Sequence, residues 1–143
     1  MNEVSTQDIV DEYISKILGL GFGMGTGDFD VPARADTILK ILFINDDTVT
    51  IFAICHEYHH ALSKHHGRLT AFNGNDSRNP NEHDCNYETI EELIRRYQTF
   101  DVSFNTITFM TWFGIPFEFE SKVIEIYKSN YQLEVEETYY AQN

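Results

Sequence analysis

Apolar positions recur at helical spacing from the start of the chain. Ile9, Tyr13, Ile17 and Leu20 follow Ser5-Thr6-Gln7-Asp8, which has the form of a capping box with Asp in the acidic position, and the pattern predicts a helix over 5–18. The stretch from Gly19 to Gly27 holds five glycines. It follows a helix and lacks a downstream Lys, so it reads as a bent strand or loop and not as a phosphate cradle. Ile38 to Ile44 is a β-prone apolar run and predicts a strand over 38–44; Asn45-Asp46-Asp47 stops it and offers an N-cap to the next element. From Thr48 onward, Val49, Ile51, Phe52, Ala53, Ile54 and Cys55 are apolar on nearly every side, which predicts a core helix over 48–64.

The segment 67–81 is rich in Asn, Gly, Asp and Ser and reads as an exposed loop. Asn79-Pro80 combines an N-cap with a first-turn proline and starts a helix over 80–99. Two more helices are expected, over 104–113 and 117–129, separated by Gly114-Ile115-Pro116, where the proline stops helix propagation. The tail beyond Asn130 is acidic and receives no element. No repeat or linker divides the chain, so the reading is one domain over 1–143, α+β and mostly helical.

Composition narrows the function classes. With 10 Lys and Arg against 23 Asp and Glu, the formal charge is −13 and no basic run exceeds Arg95-Arg96, which argues against direct binding to nucleic acid. No apolar stretch approaches the ~20 residues of a membrane span, and no cationic-then-apolar leader is visible. The expected location is the cytoplasm, with Cys55 and Cys85 as free thiols.

The chemistry concentrates in His56-Glu57-Tyr58-His59-His60. On a helix His56 and His60 lie about 40° apart and one turn along the axis, so both imidazoles reach one ion. Glu57 lies about 60° beyond His60, at the edge of that face, where a carboxylate reaches a water on the ion without being a ligand. This is the arrangement of a zinc hydrolase, with Zn2+ as the expected cofactor and Glu57 as the catalytic base. His59, about 60° from His56 on the other side, is a candidate for lining the cleft, as is His83.

A catalytic zinc takes three protein ligands, and two candidates are open for the third. His66 completes a His-Glu-x-x-His-x-x-Ser-x-x-His series, with Ser63 where the metzincin pattern has Gly. Glu82 stands in the first turn of the helix over 80–99, where its carboxylate can face the metal helix or cap its own. Asn86, one turn on, shares that face and is the expected hydrogen-bond partner for the second nitrogen of a ligand histidine.

Ile54-Cys55-His56-Glu57-Tyr58-His59-His60-Ala61-Leu62, Glu82-His83-Asp84-Cys85-Asn86 and Phe113-Gly114-Ile115-Pro116 together resemble the ImmA/IrrE family of metallopeptidases, in particular the short forms of temperate phages and mobile elements. The resemblance spans roughly residues 36 to 127 and implies a minimal zincin-like domain, with a small β-sheet packed on the metal-binding helix. It implies His56, His60 and Glu82 as zinc ligands, Glu57 as base and Asn86 at the family's Asn position. Members of the family act on helix-turn-helix repressors, so the implied function is a zinc endopeptidase that relieves repression, its substrate segment adding to the strand 38–44. The alternative is a non-cleaving, metal-stabilised antirepressor, or an acidic inhibitor of a basic DNA-binding protein, which the −13 charge also suits.

Overall fold

The computed structural model describes residues 5–63, 80–100 and 103–132, with the backbone alone for 80–83 and 131–132. His66, residues 67–79 of the loop expected over 67–81, and most of the acidic tail lie outside the described residues. The described part is mostly helical, with a small three-stranded mixed sheet.

Helix α1 (Thr6–Leu18) opens with both bonds of its capping box: Asp8 N–H donates to Ser5 Oγ at 3.1 Å and Ser5 N–H to Asp8 Oδ2 at 3.2 Å. It buries Ile9, Val10, Tyr13 and Ile17, while Leu20 falls beyond the helix end and is partly exposed. Strands β1 (Gly23–Thr26), β2 (Ala33–Asp36) and β3 (Ile41–Ile44) then form a sheet of order β1-β3-β2. β1 runs parallel to β3; β2 runs antiparallel to it, with Ala35 opposite Leu42.

The strand expected over 38–44 is shorter at its start. Residues 37–40 form the turn of the β2–β3 hairpin, because the Asp36 carboxylate accepts the N–H groups of Ile38 and Leu39 at 3.0 and 2.9 Å and Lys40 takes φ 58°. Ile38 and Leu39 are accordingly 64% and 62% exposed, so their apolar character reflects no burial. β3 is also the central strand, paired on both sides over its length, so it has no edge to which a substrate strand could add; that expectation is corrected.

Asn45 closes the sheet and does not cap the helix that follows. Its Oδ1 accepts the Asp47 N–H at 3.0 Å and its Nδ2 donates to the Phe29 carbonyl at 2.8 Å. Helix α2 (Ile51–Ser63) instead starts three residues later than expected, with Thr50 Oγ1 accepting the Ala53 N–H at 3.1 Å. α2 packs against α1, β2 and α3 (Pro80–Gln98) and is the centre of the core, with Ile51, Ile54 and Cys55 fully buried.

Helix α4 (Thr106–Phe113) is capped by Asn105 and ends at Gly114 in the left-handed conformation, φ 71°. The expected break at Gly114-Ile115-Pro116 is present. A 3-10 turn (Phe117–Phe119), α5 (Glu120–Tyr127) and a π-helical turn (Lys128–Gln132) occupy the region expected as one helix over 117–129. Phe104, just before α4, stacks on Tyr127 of α5 at 4.0 Å, and Tyr97 ties this end to α3 by meeting Phe109 edge-on at 5.4 Å. Among the described residues, no helix is long and apolar enough to cross a membrane.

Candidate metal centre

The first half of α2 is apolar, and the ionisable residues that follow are buried. His56, Glu57, His59 and His60 all lie inside the protein, His60 completely. Such burial of ionisable side chains costs free energy unless they are paired or hold an ion. The four-residue spacing brings the rings of His56 and His60 to 4.7 Å, nearly perpendicular at 82°, and the ligand atoms of His56, Glu57 and His60 lie within 4.8 Å of one another. Two imidazoles and a carboxylate so grouped can hold a metal ion. The Phe52 ring, one turn earlier, lies parallel to His56 at 5.9 Å and backs it with an apolar wall.

His56 and Glu57 face a cleft of about 360 Å³, whose other walls come from Pro32 and Ala33 at β2, Thr50, Asn86 on α3, and the Gly114–Phe119 turn. Three separate elements therefore converge on the one helix that carries the chemistry.

Hydrogen bonds orient the group. Glu57 Oε1 accepts the Ala35 N–H at 2.6 Å, which ties the carboxylate to the outer edge of β2, and Oε2 lies 3.2 Å from His56 Nδ1. His60 Nδ1 lies 3.4 Å from Cys85 Sγ. Both rings thus turn Nδ1 toward a protein partner, the usual setting of a histidine that ligates through Nε2. Asn86 was expected in that partner role; it is buried on the cleft wall, and the groups found at Nδ1 are Glu57 and Cys85. Glu82 falls in the first turn of α3 as expected. Its side chain and that of His83 lie outside the described residues.

His59 does not line the cleft. It turns toward α3, where Nε2 lies 3.1 Å from Glu92 Oε1 and Nδ1 lies 3.3 Å from Glu88 Oε2. The reason is that α3 presents Glu88 and Glu92, four residues apart on one face, directly against this side of α2. Glu92 also accepts the Tyr13 hydroxyl and lies 3.5 Å from Cys55 Sγ. Burial alone would raise its pKa, but hydrogen bonds from His59 and Tyr13 and the charge of His59 outweigh burial and hold the carboxyl at about 2. Burial, aided by the Glu92 charge, pushes the Cys55 thiol well above its ordinary value. Sequence reasoning missed Glu92; the four-residue Glu88/Glu92 pair was the available signal.

These shifts fix a pH dependence for the metal-free protein. Glu92 is depressed to about 2 and Glu12, bound by both terminal nitrogens of Arg96 at 2.6 and 3.0 Å, is also depressed from 4.5. Both contributions are present above the unfolded value near 4.5 and are lost as pH falls toward the folded value, so stability should drop between 4.5 and about 2. Urea unfolding midpoints measured across this window should fall less steeply in Glu92→Gln than in wild type. Equal slopes would remove Glu92 as the acid-sensitive group.

Comparison of the chain with protein-family models, with curated proteins and with solved structures gives no match.

Proposed function

We propose that this protein is a zinc-dependent endopeptidase of zincin-like fold and ImmA/IrrE type, which cuts a helix-turn-helix repressor in the bacterial cytoplasm and so relieves repression. The observation that carries the reading is that His56, Glu57 and His60 cluster on one buried helix while two of them face a cleft beside a sheet edge. His56 and His60 would hold the ion, with Glu82 as the third ligand by the family resemblance. Zinc, when bound, supplies Lewis-acid polarisation of the scissile carbonyl and a water acidified to a pKa of about 7.

The chain's own residues do the rest. Glu57 takes a proton from the attacking water and hands it to the leaving amine, and the Ala35 N–H holds its carboxylate in place between the two transfers. Cys85 and Glu57 fix the ring orientations of His60 and His56. The substrate main chain would lie along the outer edge of β2, the sheet edge that borders the cleft through Pro32 and Ala33.

The test is a candidate repressor incubated with zinc-loaded protein, with chelated protein and with chelated protein re-supplied with zinc. Fragments should appear, disappear and reappear, as read by gel and mass spectrometry. A second reading, the non-cleaving antirepressor, is favoured by one feature: the hydrogen bond from Ala35 gives Glu57 a purely structural use. Intact repressor released from DNA by both the zinc-loaded wild type and zinc-loaded Glu57→Gln would establish that second reading and end the first.

A further inference from the structure

α2 carries two interleaved pairs of metal-binding side chains. Cys55 and His59 repeat the four-residue spacing of His56 and His60 one position earlier, so they face about 100° away around the helix. That direction is the interface with α1 and α3, away from the cleft. There Cys55, His59 and Glu92 offer one sulfur, one nitrogen and one oxygen within 4.8 Å of one another. His59 Nε2 stands 3.1 Å from Glu92 Oε1, and Cys55 Sγ stands 3.5 Å from Glu92 Oε2.

The surroundings are those of a ligand set. Glu88 lies 3.3 Å from His59 Nδ1, where a carboxylate that accepts Nδ1–H leaves Nε2, whose proton now goes to Glu92, as the nitrogen that an ion would take on displacing that proton. Tyr13 steadies Glu92 through Oε2 and leaves Oε1 on the His59 side. Burial is graded: Cys55 is fully buried, while the His59 and Glu92 side chains are 11% and 24% exposed, so the cluster reaches the surface on their side.

We propose that Cys55, His59 and Glu92 form a second metal site, for zinc or another divalent ion that accepts sulfur, separate from the His56/Glu57/His60 centre. The donor set decides the class of ion, because thiolate with imidazole and carboxylate suits zinc and cobalt and does not suit magnesium or calcium. The competing arrangement is a metal-free network in which His59 bridges two carboxylates. That network has no need of Cys55, since a thiol is a weak hydrogen-bond donor but a strong zinc ligand. On binding, the metal–sulfur bond replaces S–H and the proton passes to water; no oxidant or reductant takes part.

The test is titration of the reduced full chain with Co2+ alone, followed by absorbance and equilibrium dialysis. Two tight equivalents are expected, one of them with a sulfur-to-cobalt charge-transfer band in the near ultraviolet. In His56→Ala/His60→Ala protein one equivalent and the band should remain. Glu92→Gln, which keeps side-chain volume and an oxygen for Tyr13, should weaken that equivalent at least tenfold, and Cys55→Ser should abolish the band. Absence of the band at any stoichiometry, or a band that survives Cys55→Ser and vanishes in Cys85→Ser, would overturn the second site; a single equivalent that carries a Cys55-dependent band would uphold it and count against the His56/His60 centre. The wild-type band and the Cys85→Ser comparison stand even if a Cys55 or double-histidine variant fails to fold. None of these readouts uses cleavage, so an uncut repressor would refute the proposed function and leave this site standing.

Discussion

Replacing Glu57 with Gln is expected to lower repressor cleavage about 10²- to 10⁴-fold at saturating zinc while leaving the fold in place, the range contributed by a positioned general base. The fold should survive because the Gln amide oxygen can still accept the Ala35 N–H, which Glu57 now holds at 2.6 Å. What is lost is basicity. The amide nitrogen would then face His56 Nδ1, the position where Glu57 Oε2 now stands at 3.2 Å, and would favour the tautomer with hydrogen on Nε2. A loss of about 10- to 100-fold in zinc affinity should follow, as for other changes next to a ligand histidine, so rates must be compared at saturating metal. Glu57→Ala differs in kind. It strands the buried Ala35 N–H, at a cost of about 1–3 kcal/mol in stability. A Gln variant that cuts at the wild-type rate would remove Glu57 from the chemistry, and equal stability of the Gln and Ala variants would remove the Ala35 bond from the account.

The candidate metal-binding group was legible because it is local. His56, Glu57 and His60 are set by helix geometry alone, and the neighbouring apolar run from Ile51 to Cys55 showed that the helix is buried. The capping box of α1 and the break at Gly114-Ile115-Pro116 were legible for the same reason. What failed depended on contacts that neither helix phase nor hydrophobicity encodes. Ile38 and Leu39 look like strand residues, but Asp36 gathers their N–H groups into a turn, and hydrophobicity carries no information about that contact. β2 escaped notice because Ala33 and Ala35 are small and the alternation lasts only four residues. The direction of His59 depended on Glu88 and Glu92, and the partner of His60 on Cys85, all of them residues of α3. Helix phase could limit these side chains to a face but could not say which helix would cover it.

Gly114→Ala should be among the most destabilising single substitutions in the chain. Gly114 has φ 71°, where an L side chain costs about 1–2 kcal/mol. A Cβ there would also stand 2.4 Å from Thr50 Cβ and 2.6 Å from Thr50 Cγ2, distances no relaxed contact reaches, so Thr50 must move. Thr50 Oγ1 caps α2, and loss of such a cap costs about 1 kcal/mol, with overpacking adding about 1–3 kcal/mol. The sum is about 3–6 kcal/mol, or a fall in Tm of roughly 10 °C or more for a domain of this size. Gly21→Ala is the matched control. Gly21 has φ 99° but nothing within 4 Å of a built Cβ, so it should show the backbone term alone, about 1–2 kcal/mol. Thr50→Ser in the Gly114→Ala background removes Cγ2 but leaves Cβ, so it should recover only a minor part of the loss. Because Thr50 and Gly114 both line the cleft, the same variant should also weaken zinc binding, through displacement of the helix start that sets the position of His56 one and a half turns on. Equal losses in Gly21→Ala and Gly114→Ala would mean that strain alone matters and that the Thr50 contact does not couple the α4 terminus to the metal helix.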